Sequence, residues 1–406
     1  MIDRSIAASV LGAARDFPVV VITGPRQSGK TTLARQVFPN HRYVLLEDPD
    51  QRRLAESDPR RFLGELSEGA ILDEVQRAPE LFSYLLGMVD DDPCPGRFVL
   101  TGSQQFGLLS RITQSLAGRA AMLVLLPFSH QELSTTAAAT MSLEEVLWRG
   151  FYPPVHDRNL EPGRWYANYV ATYVERDVRQ LVNVRDLRAF DTFLRLCAAR
   201  CGQLVNLSAL AADCGITHNT AKGWLSVLEA SYIVHPLPRH FSNFSKQLVK
   251  APKLHFLDVG LAAWLLDIQS PQQLATHPMR GALFESWVCA ELLKGVYNRG
   301  ERPRLYFWRD RGGLEIDFLV DQGTRLVPIE AKSGETFVME WLRPLRKWSA
   351  LAGEAAARGW LVHGGDIEGP HQDYEAVSWR HIDRLCGALA HDSAAPPRPA
   401  HSGEPT

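Results

Sequence analysis

Short apolar runs alternate with amphipathic stretches over the first third of the chain. The runs have the length and β-branched content of buried strands, and the stretches between them carry apolar residues at helical spacing. Strands separated by helices are typical of a parallel sheet covered by helices on both faces. We therefore predict an α/β core over residues 1–133, with strands at 19–22, 43–46, 70–73, 97–102 and 121–126.

The pattern becomes mostly helical after this core. Residues 134–142 carry no charged side chain and no clear period, which is typical of a connection. Apolar residues at helical spacing follow over 143–204, and proline pairs interrupt them. We interpret 134–205 as a helical lid or linker.

Residues 206–260 have the pattern of a winged helix-turn-helix. A short helix from residue 207 stops at Gly215, and a second helix follows with Thr217 as its N-cap. The stretches 232–238 and 253–258 then predict two strands that flank a loop, which is the arrangement of a wing.

Residues 261–390 predict a small α/β domain. A helix at 283–293 precedes three strands, and a further helix and strand follow; the strands are expected at 304–308, 314–320, 325–331 and 359–363, and the second helix at 341–357. The tail over 391–406 has too little apolar surface to fold, so we expect it to be disordered.

Composition limits the kinds of partner and the cellular compartment that we expect for this chain. Charged residues make up 22% of the 406 residues and the formal net charge is −2, so any nucleic-acid surface must be local. The six cysteines are scattered without a C-x-x-C pair, which favours a reducing compartment, and we expect the cytoplasm. The sequence has neither a secretory leader nor a long apolar run, so we expect no membrane span.

A phosphate-binding loop follows the first predicted strand. Gly24-x4-Gly29-Lys30-Thr31 has the glycines that let successive N–H groups turn toward a phosphate at the start of a helix. Lys30 would reach the β- and γ-phosphates, and the Thr31 hydroxyl would bind Mg²⁺. The sequence therefore predicts an ATP site formed by Gly24, Pro25, Arg26, Gln27, Ser28, Gly29, Lys30, Thr31 and Thr32.

Asp73 and Glu74 end the third predicted strand. In P-loop ATPases the first of two such acids holds Mg²⁺ through water and the second orients the attacking water. We predict a metal role for Asp73 and a catalytic role for Glu74. Thr101 or Ser103, at the end of the next strand, would sense the γ-phosphate.

Arg111 and Arg119 lie on the segment that leads out of this core. An arginine supplied across a subunit boundary stabilises charge on the transferring phosphoryl group, which requires a dimer or a ring. We favour Arg119 for this catalytic role. A surface ion pair is the alternative for either arginine.

These residues, in this order, resemble the AAA-type ATPases over roughly residues 1–135. Walker A would be the loop at 24–31, Walker B Asp73 and Glu74, the first sensor Ser103, and the arginine finger Arg119. The sensor position lacks the usual asparagine, and no second-sensor arginine can be assigned.

More narrowly, the whole chain resembles a group of prokaryotic ATPases with a C-terminal domain of unknown function. The motifs that carry this resemblance are the P-loop, Leu72-Asp-Glu-Val-Gln76, Leu100-Thr-Gly-Ser, Leu116-Ala-Gly-Arg and Phe284-Glu285.

A group of carboxylates near the C-terminus forms a second candidate site. A hairpin turn at 321–323 would place Asp317 opposite Pro328 and Glu315 opposite Glu330, so that Asp317 and Glu330 share one face. Carboxylates that lie together repel one another unless a cation is present. Mg²⁺ held by Asp317 and Glu330, with Glu285 as a further ligand, would remove that conflict.

Asp317, Glu330 and Lys332 resemble the PD-(D/E)xK nuclease signature over about residues 280–365. The resemblance implies a catalytic role for all three, in which Lys332 orients water or stabilises the charged phosphorane. The alternative is a hairpin with an Asp317–Lys332 ion pair on its solvent face.

The predicted second helix of the helix-turn-helix begins with small polar and basic residues that suit contact with a DNA groove, namely Thr217, His218, Asn219, Thr220 and Lys222. A basic strip over 239–253 would add phosphate contacts through Arg239, Lys246, Lys250 and Lys253. Winged helices also serve as protein-binding modules, which is the alternative for this region.

The preferred interpretation is a homo-oligomeric, ring-capable, ATP-driven protein that acts on DNA, with an ATPase coupled to a metal-dependent nuclease-like domain. The second hypothesis is a nucleotide-dependent switch or scaffold whose inactive nuclease fold binds nucleic acid or protein without cleavage. A third, protein remodelling, has no specific support in the sequence.

Overall fold

The computed structural model describes residues 2–102, 115–174, 186–240 and 251–391. Several residues singled out from the sequence fall outside these ranges, namely Ser103, Arg111, Lys246 and Lys250, as does the tail over 392–406.

The amino-terminal part is a five-stranded parallel sheet with helices on both faces, as the sequence pattern predicts. Its strand order is β2-β3-β4-β1-β5. The strands are β1 (Val19–Thr23), β2 (Arg42–Leu45), β3 (Ala70–Asp73), β4 (Phe98–Thr101) and β5 (Ala120–Val124). The helices are α1 (Ala7–Asp16), α2 (Lys30–Val37), α3 (Pro49–Ser57), α4 (Pro59–Gly64) and α5 (Leu81–Asp91).

Strand β1 lies inside this sheet, and all of its residues are buried. Val19 and Val21 pack into the core beneath α4 and α5, whereas Val20 and Ile22 pack beneath α1 and α2. Two covered faces explain why the strand is a continuous apolar run instead of an alternating one. Because the strands are parallel, the residues that follow β1 and β3 emerge at the same edge of the sheet.

Helices and a winged helix-turn-helix follow the sheet. The first helices are α6 (His130–Leu133), α7 (Leu143–Arg149), α8 (Pro153–Asp157), α9 (Pro162–Tyr169) and α10 (Leu187–Ala199). Helix α11 (Leu207–Cys214) ends at Gly215 in the left-handed conformation, and α12 (His218–Ala230) begins after Thr217, whose side chain accepts a hydrogen bond from the Thr220 N–H. Strands β6 (Val234–Leu237) and β7 (Lys253–Phe256) then pair antiparallel.

The carboxyl-terminal part contains a six-stranded mixed sheet with the order β12-β13-β11-β10-β9-β8. Helices α13 (Val259–Leu265), α14 (Pro271–Thr276) and α15 (Arg280–Asn298) precede it. The remaining elements are β8 (Leu305–Arg309), β9 (Glu315–Asp321), β10 (Leu326–Lys332), α16 (Arg343–Ala352), β11 (Gly359–His363), β12 (Gly369–His371), β13 (Tyr374–Ser378) and α17 (Ile382–His391).

Five of these elements have no counterpart among the sequence-based predictions, namely α13, α14, β12, β13 and α17. Strands β12 and β13 are short, and Glu375 interrupts the apolar pattern of β13, so neither has a clear signal. The helix predicted at 341–357 is shorter than expected: it is confined to α16, with a 3₁₀ turn at each end.

The register of the β9–β10 hairpin differs from the predicted one by two residues. Leu326 pairs with Asp321 and Pro328 with Leu319, so that Asp317, and not Glu315, comes opposite Glu330. The connection is longer than expected because the Gln322 N–H donates to the Arg325 carbonyl and closes a four-residue turn. A shift of two keeps each side chain on its predicted face.

One hydrophobic core extends from Leu126 to Leu385 and includes residues of the helical segment, the winged helix-turn-helix and the second sheet. Helix α15 lies within this core, in contact with β7, β10, α13 and α17. Within the described ranges, no helix is both long enough and apolar enough to cross a bilayer.

The buried carboxylate of Asp258 ties the helical segment to the strand that precedes α13. It accepts hydrogen bonds from the Phe151 N–H (2.7 Å), the Leu261 N–H (2.8 Å) and the Tyr166 hydroxyl (2.6 Å). Gly150 lies directly against this group with φ +67°, and a Cβ there would come within 2.1 Å of the Tyr166 hydroxyl oxygen. Glycine is therefore required both by backbone conformation and by space.

We expect Gly150→Ala to lower the free energy of unfolding by roughly 3 kcal/mol, because it adds a steric clash to backbone strain. Gly215→Ala is the matched control: its φ is +66° and no atom lies within 4 Å of the added Cβ. The control should cost about 1 kcal/mol from backbone strain alone. Urea unfolding of both variants measures the difference, and equal losses would contradict the role given to Tyr166 and Asp258.

Candidate nucleotide site and carboxylate cluster

The P-loop connects the end of β1 to the start of α2, as predicted. Gly24 has φ +144°, and a Cβ there would overlap the Leu125 carbonyl oxygen at 2.1 Å. Gly29 has φ +94° and caps α2. Both glycines are therefore needed for the close turn that brings backbone N–H groups to a helix start.

Lys30 lies within the loop and is 7% exposed. Its ammonium donates to the carbonyl oxygens of Gly24 (3.1 Å) and Pro25 (2.7 Å). Ser28 is fully buried, and its hydroxyl oxygen has no hydrogen-bond partner among the described residues. A buried ammonium and an orphaned hydroxyl at a helix start fit a phosphate ligand.

The Asp73 carboxylate is held from both sides at the end of β3. One oxygen accepts from the Thr31 hydroxyl (2.7 Å) and the Tyr43 hydroxyl (2.8 Å), and the other accepts from the Thr101 hydroxyl and the Glu74 N–H (3.1 Å). The hydroxyl of Thr31 and the carboxylate of Asp73 are thus adjacent, as a Mg²⁺ site between them requires. Bound with ATP, Mg²⁺ would neutralise charge on the phosphates.

Tyr43 is a residue of this site that sequence reasoning missed. It lies on β2, one strand away from Asp73, and only the parallel register brings its hydroxyl to that carboxylate. Burial, followed by the hydrogen bond to Asp73, raises the pKa of the Tyr43 hydroxyl, which therefore remains a donor.

Glu74 follows Asp73 with φ +56°, a left-handed conformation that costs a residue other than glycine about 1 kcal/mol. Its carboxylate accepts a hydrogen bond from the Gln76 side-chain amide. This backbone turn directs Glu74 away from the line of β3. Its catalytic role stays a prediction.

The remaining predicted ATPase residues have different positions. Thr101 is fully buried and donates to Asp73, so its hydroxyl supports the carboxylate. Arg119 lies at the amino end of β5 and pairs with both carboxylate oxygens of Asp90. Since the P-loop lies at the opposite, carboxyl end of the sheet, Arg119 cannot reach the P-loop of its own chain. Its action across a subunit boundary stays a prediction.

The second candidate site lies on the β9–β10 hairpin. The Lys332 ammonium donates to Glu330 (2.6 Å) and to Asp317 (3.3 Å), and the Ala331 N–H donates to the same Asp317 oxygen (3.0 Å). The three residues of the nuclease-like signature are therefore in contact. Asp317 and Glu330 are buried and the Lys332 side chain is 31% exposed, so the Asp317–Lys332 ion pair of the alternative forms, but its carboxylate does not lie on the solvent face.

Lys253 also enters this cluster, which the sequence did not predict. Its ammonium lies 2.9 Å from a Glu285 oxygen, 2.5 Å from a Glu315 oxygen and 3.8 Å from an Asp317 oxygen. The side chain is only 4% exposed. Lys253 is therefore not part of an exposed basic strip, because β7 turns it toward α15 and β9.

The electrostatics of the cluster follow from burial and from these two ammonium groups. Burial, and then the charge of Asp317, raises the pKa of Glu330 to about 8 and that of Glu285 to about 7. Burial also disfavours ionised Asp317, but the charges of Lys332 and Lys253 outweigh it and lower the pKa of that carboxyl. Asp317 is the member most firmly held as an anion.

The cluster as arranged does not fit a bound Mg²⁺. The described residues contain no group of three or more His, Cys, Asp or Glu side chains that could hold a metal ion. Lys253 supplies the positive charge between Glu285 and Asp317 that a metal would supply. This arrangement therefore gives no support to the metal role expected for Glu285, Asp317 and Glu330.

The exposed start of α12 is the third candidate site. Thr217, His218, Asn219 and Lys222 are exposed, while Trp224 and Leu228 face the core. Arg239, at the other end of the wing, contacts the Arg309 carbonyl. The described part of the predicted basic strip therefore offers few free charges, and the helix start is the better candidate for contact with DNA.

Comparison with known proteins gives matches to family models and to solved structures. Three family models match in succession: an AAA domain over 16–134, a domain of unknown function (DUF8612) over 140–272 and a domain of unknown function (DUF4143) over 280–382. Two solved structures are similar: the Walker-type ATPase PABY2304 of Pyrococcus abyssi and a RuvB variant of Thermotoga maritima. The first is 18% identical with a TM-score of 0.44 and covers 65% of this chain and 96% of that chain. The second is 20% identical with a TM-score of 0.30 and covers 57% and 87%.

The fold and the nucleotide site define a P-loop ATPase of the AAA type, joined to a C-terminal domain of unknown function. The chain is 33% identical over 379 residues to the uncharacterized protein Rv2008c of Mycobacterium tuberculosis and, equally, to the uncharacterized protein Mb2031c of Mycobacterium bovis. The match covers 91% of this chain and 82% of each relative. The chain belongs to the family of these two mycobacterial proteins.

We expect Thr101→Val to lower kcat for ATP roughly tenfold while KM changes less than about threefold, because Asp73 loses one of the donors that orient it. Steady-state ATPase kinetics measure both constants. Thr192→Val is the control, since that exposed hydroxyl donates to the Arg188 carbonyl of its own helix. Wild-type kcat in Thr101→Val would show that Asp73 does not depend on this hydroxyl.

We expect the nucleotide-free protein to bind no Mn²⁺ at the carboxylate cluster, and Lys253→Ala to gain a Mn²⁺ site, because removal of the ammonium leaves the carboxylates without that charge. Isothermal titration with Mn²⁺ measures this, and Lys253→Ala/Asp317→Asn should lose the gained site. Mn²⁺ binding by the wild type that Asp317→Asn abolishes would restore the predicted metal centre.

Proposed function

We propose that this protein is an ATP-dependent switch that binds duplex DNA through its winged helix-turn-helix and does not cleave it. The observation that carries the DNA part is the start of α12, where Thr217, His218, Asn219 and Lys222 face solvent at the end of the helix that enters the major groove in this motif. Lys222 would contact phosphate or a base edge, and the polar side chains would donate to or accept from groove atoms.

The coupling to ATP is supported by a contact between the strand before the P-loop and the segment that follows the carboxyl-terminal end of α12. The Tyr232 hydroxyl, two residues after α12, lies 2.9 Å from the Thr23 hydroxyl. Thr23 is the last residue of β1 and immediately precedes Gly24 of the P-loop. A shift of the loop on nucleotide binding would therefore reach the end of the DNA-binding helix through one hydrogen bond.

The carboxylate cluster supports the part of the proposal that says the protein does not cleave DNA. Lys253 pairs with Glu285 and Lys332 pairs with Glu330, so positive charge already lies among the buried carboxylates without a metal. The second candidate function is metal-dependent cleavage, which the contact of Asp317, Glu330 and Lys332 favours. Oligomerisation into a ring, with Arg119 acting on a neighbouring subunit, remains part of the proposal.

Binding to labelled duplex, forked, single-stranded and four-way DNA, with and without a non-hydrolysable ATP analogue, tests the proposal. We expect the analogue to change the affinity of the wild type for duplex DNA. In Lys30→Ala the analogue should no longer change that affinity. Lys222→Ala should weaken binding and reduce the slope of log affinity against log salt by about one. Lys347→Ala, which removes an exposed lysine on α16, is the matched control.

Each outcome separates the candidates. DNA affinity unchanged in Lys222→Ala and in Asn219→Ala would contradict binding through α12. Cutting in the presence of Mg²⁺ that Asp317→Asn abolishes would favour the nuclease. Stimulation of the ATPase by a polypeptide and not by DNA would favour protein remodelling.

A further inference from the structure

Arg4 is a buried cation beside the P-loop that the nucleotide chemistry described above does not use. Its guanidinium donates to the carbonyl oxygens of Ser28 and Leu126, each at 2.7 Å, and to the Glu132 carboxylate at 3.2 Å. It also lies 4.8 Å from the centroid of the Phe128 ring. A planar guanidinium with three separate acceptors is held in one orientation.

The bond to Ser28 fixes a peptide group of the P-loop. The peptide between Ser28 and Gly29 is planar and trans, so its C=O and its N–H point in opposite directions. Arg4 holds the Ser28 carbonyl on its own side of this peptide. The Gly29 N–H therefore points away from Arg4, and a P-loop binds phosphate with N–H groups of this loop.

We propose that Arg4 is a positioning residue of the nucleotide site, which prevents the Ser28–Gly29 peptide from flipping and so keeps the Gly29 N–H available to phosphate. Gly29, with no Cβ and φ +94°, has the freedom to flip that most residues lack, so an external restraint is needed. The proposal rests on nucleotide binding by the P-loop and is independent of the proposed DNA binding.

The carboxylate that pairs with Arg4 has further hydrogen-bond partners of its own. Glu132 caps α6 together with Ser129, and the same carboxylate accepts from the Ser5 N–H (2.6 Å). The His130 N–H, at the start of this helix, donates to Glu291 of α15 (2.9 Å). Arg4 is thereby connected, through Glu132 and α6, to the large core that contains α15. Its bond to the Ser28 carbonyl connects the P-loop to the same core.

Affinity for a fluorescent ATP analogue tests the proposal. We expect Arg4→Lys to weaken binding at least tenfold, because an ammonium cannot reach three acceptors in one plane. Arg4→Met/Glu132→Gln, which removes both charges and so leaves no unpaired buried carboxylate, should do the same. Arg97→Lys is the matched control: Arg97 is also a nearly buried, ion-paired arginine, but it precedes β4 at the opposite edge of the sheet.

A merely structural role would lower stability without this loss of affinity. Circular dichroism and urea unfolding identify the folded variants, and affinity is measured well below their unfolding transitions. Folded Arg4 variants that bind the analogue within about threefold of wild type, or an equal loss in Arg97→Lys, would overturn the proposal. If the wild type bound the ATP analogue no better than Lys30→Ala does, nucleotide binding by the P-loop itself would be contradicted.

Discussion

The charges that α15 carries into the interior must be neutralised there, and this requirement fixes much of the structure. Glu285 near its start is paired with Lys253 of the wing, and Glu291 near its end is paired with Lys294 and accepts the His130 N–H. A buried charge left without its partner costs several kcal/mol. The wing and the helix that follows the first sheet are therefore held in set positions on α15, and both candidate sites depend on that arrangement.

The two sheets use buried carboxylates differently. Asp73, at the edge of the first sheet, is surrounded by neutral hydroxyl and N–H donors, so its charge is available to a cation that arrives with the nucleotide. Asp317, on the second sheet, already has Lys332 and Lys253 beside it. Asp73 at the end of β3 is thus accessible to a cation, whereas Asp317 inside β9 is already paired with cations, although both acids looked suited to metal binding from the sequence.

What the sequence could predict was set by the range of the interactions involved. The P-loop, the strand before it and the Gly215 turn depend on neighbouring residues, and these predictions are confirmed. Tyr43, Arg4 and Lys253 act through contacts between distant segments, for which local spacing carries no signal. The hairpin register was wrong by two residues because the turn length was misjudged. Lys253 was assigned to a solvent-exposed strip because charge alone does not reveal which way a strand faces.

The unbroken core from Leu126 to Leu385 also bears on how such proteins can evolve. Recombination usually exchanges units that bring their own interiors, since a boundary through a core leaves unmatched surfaces on both sides. Here the helical segment, the winged helix-turn-helix and the second sheet share one interior. Their specificities would therefore diverge by point substitution at exposed positions such as the start of α12.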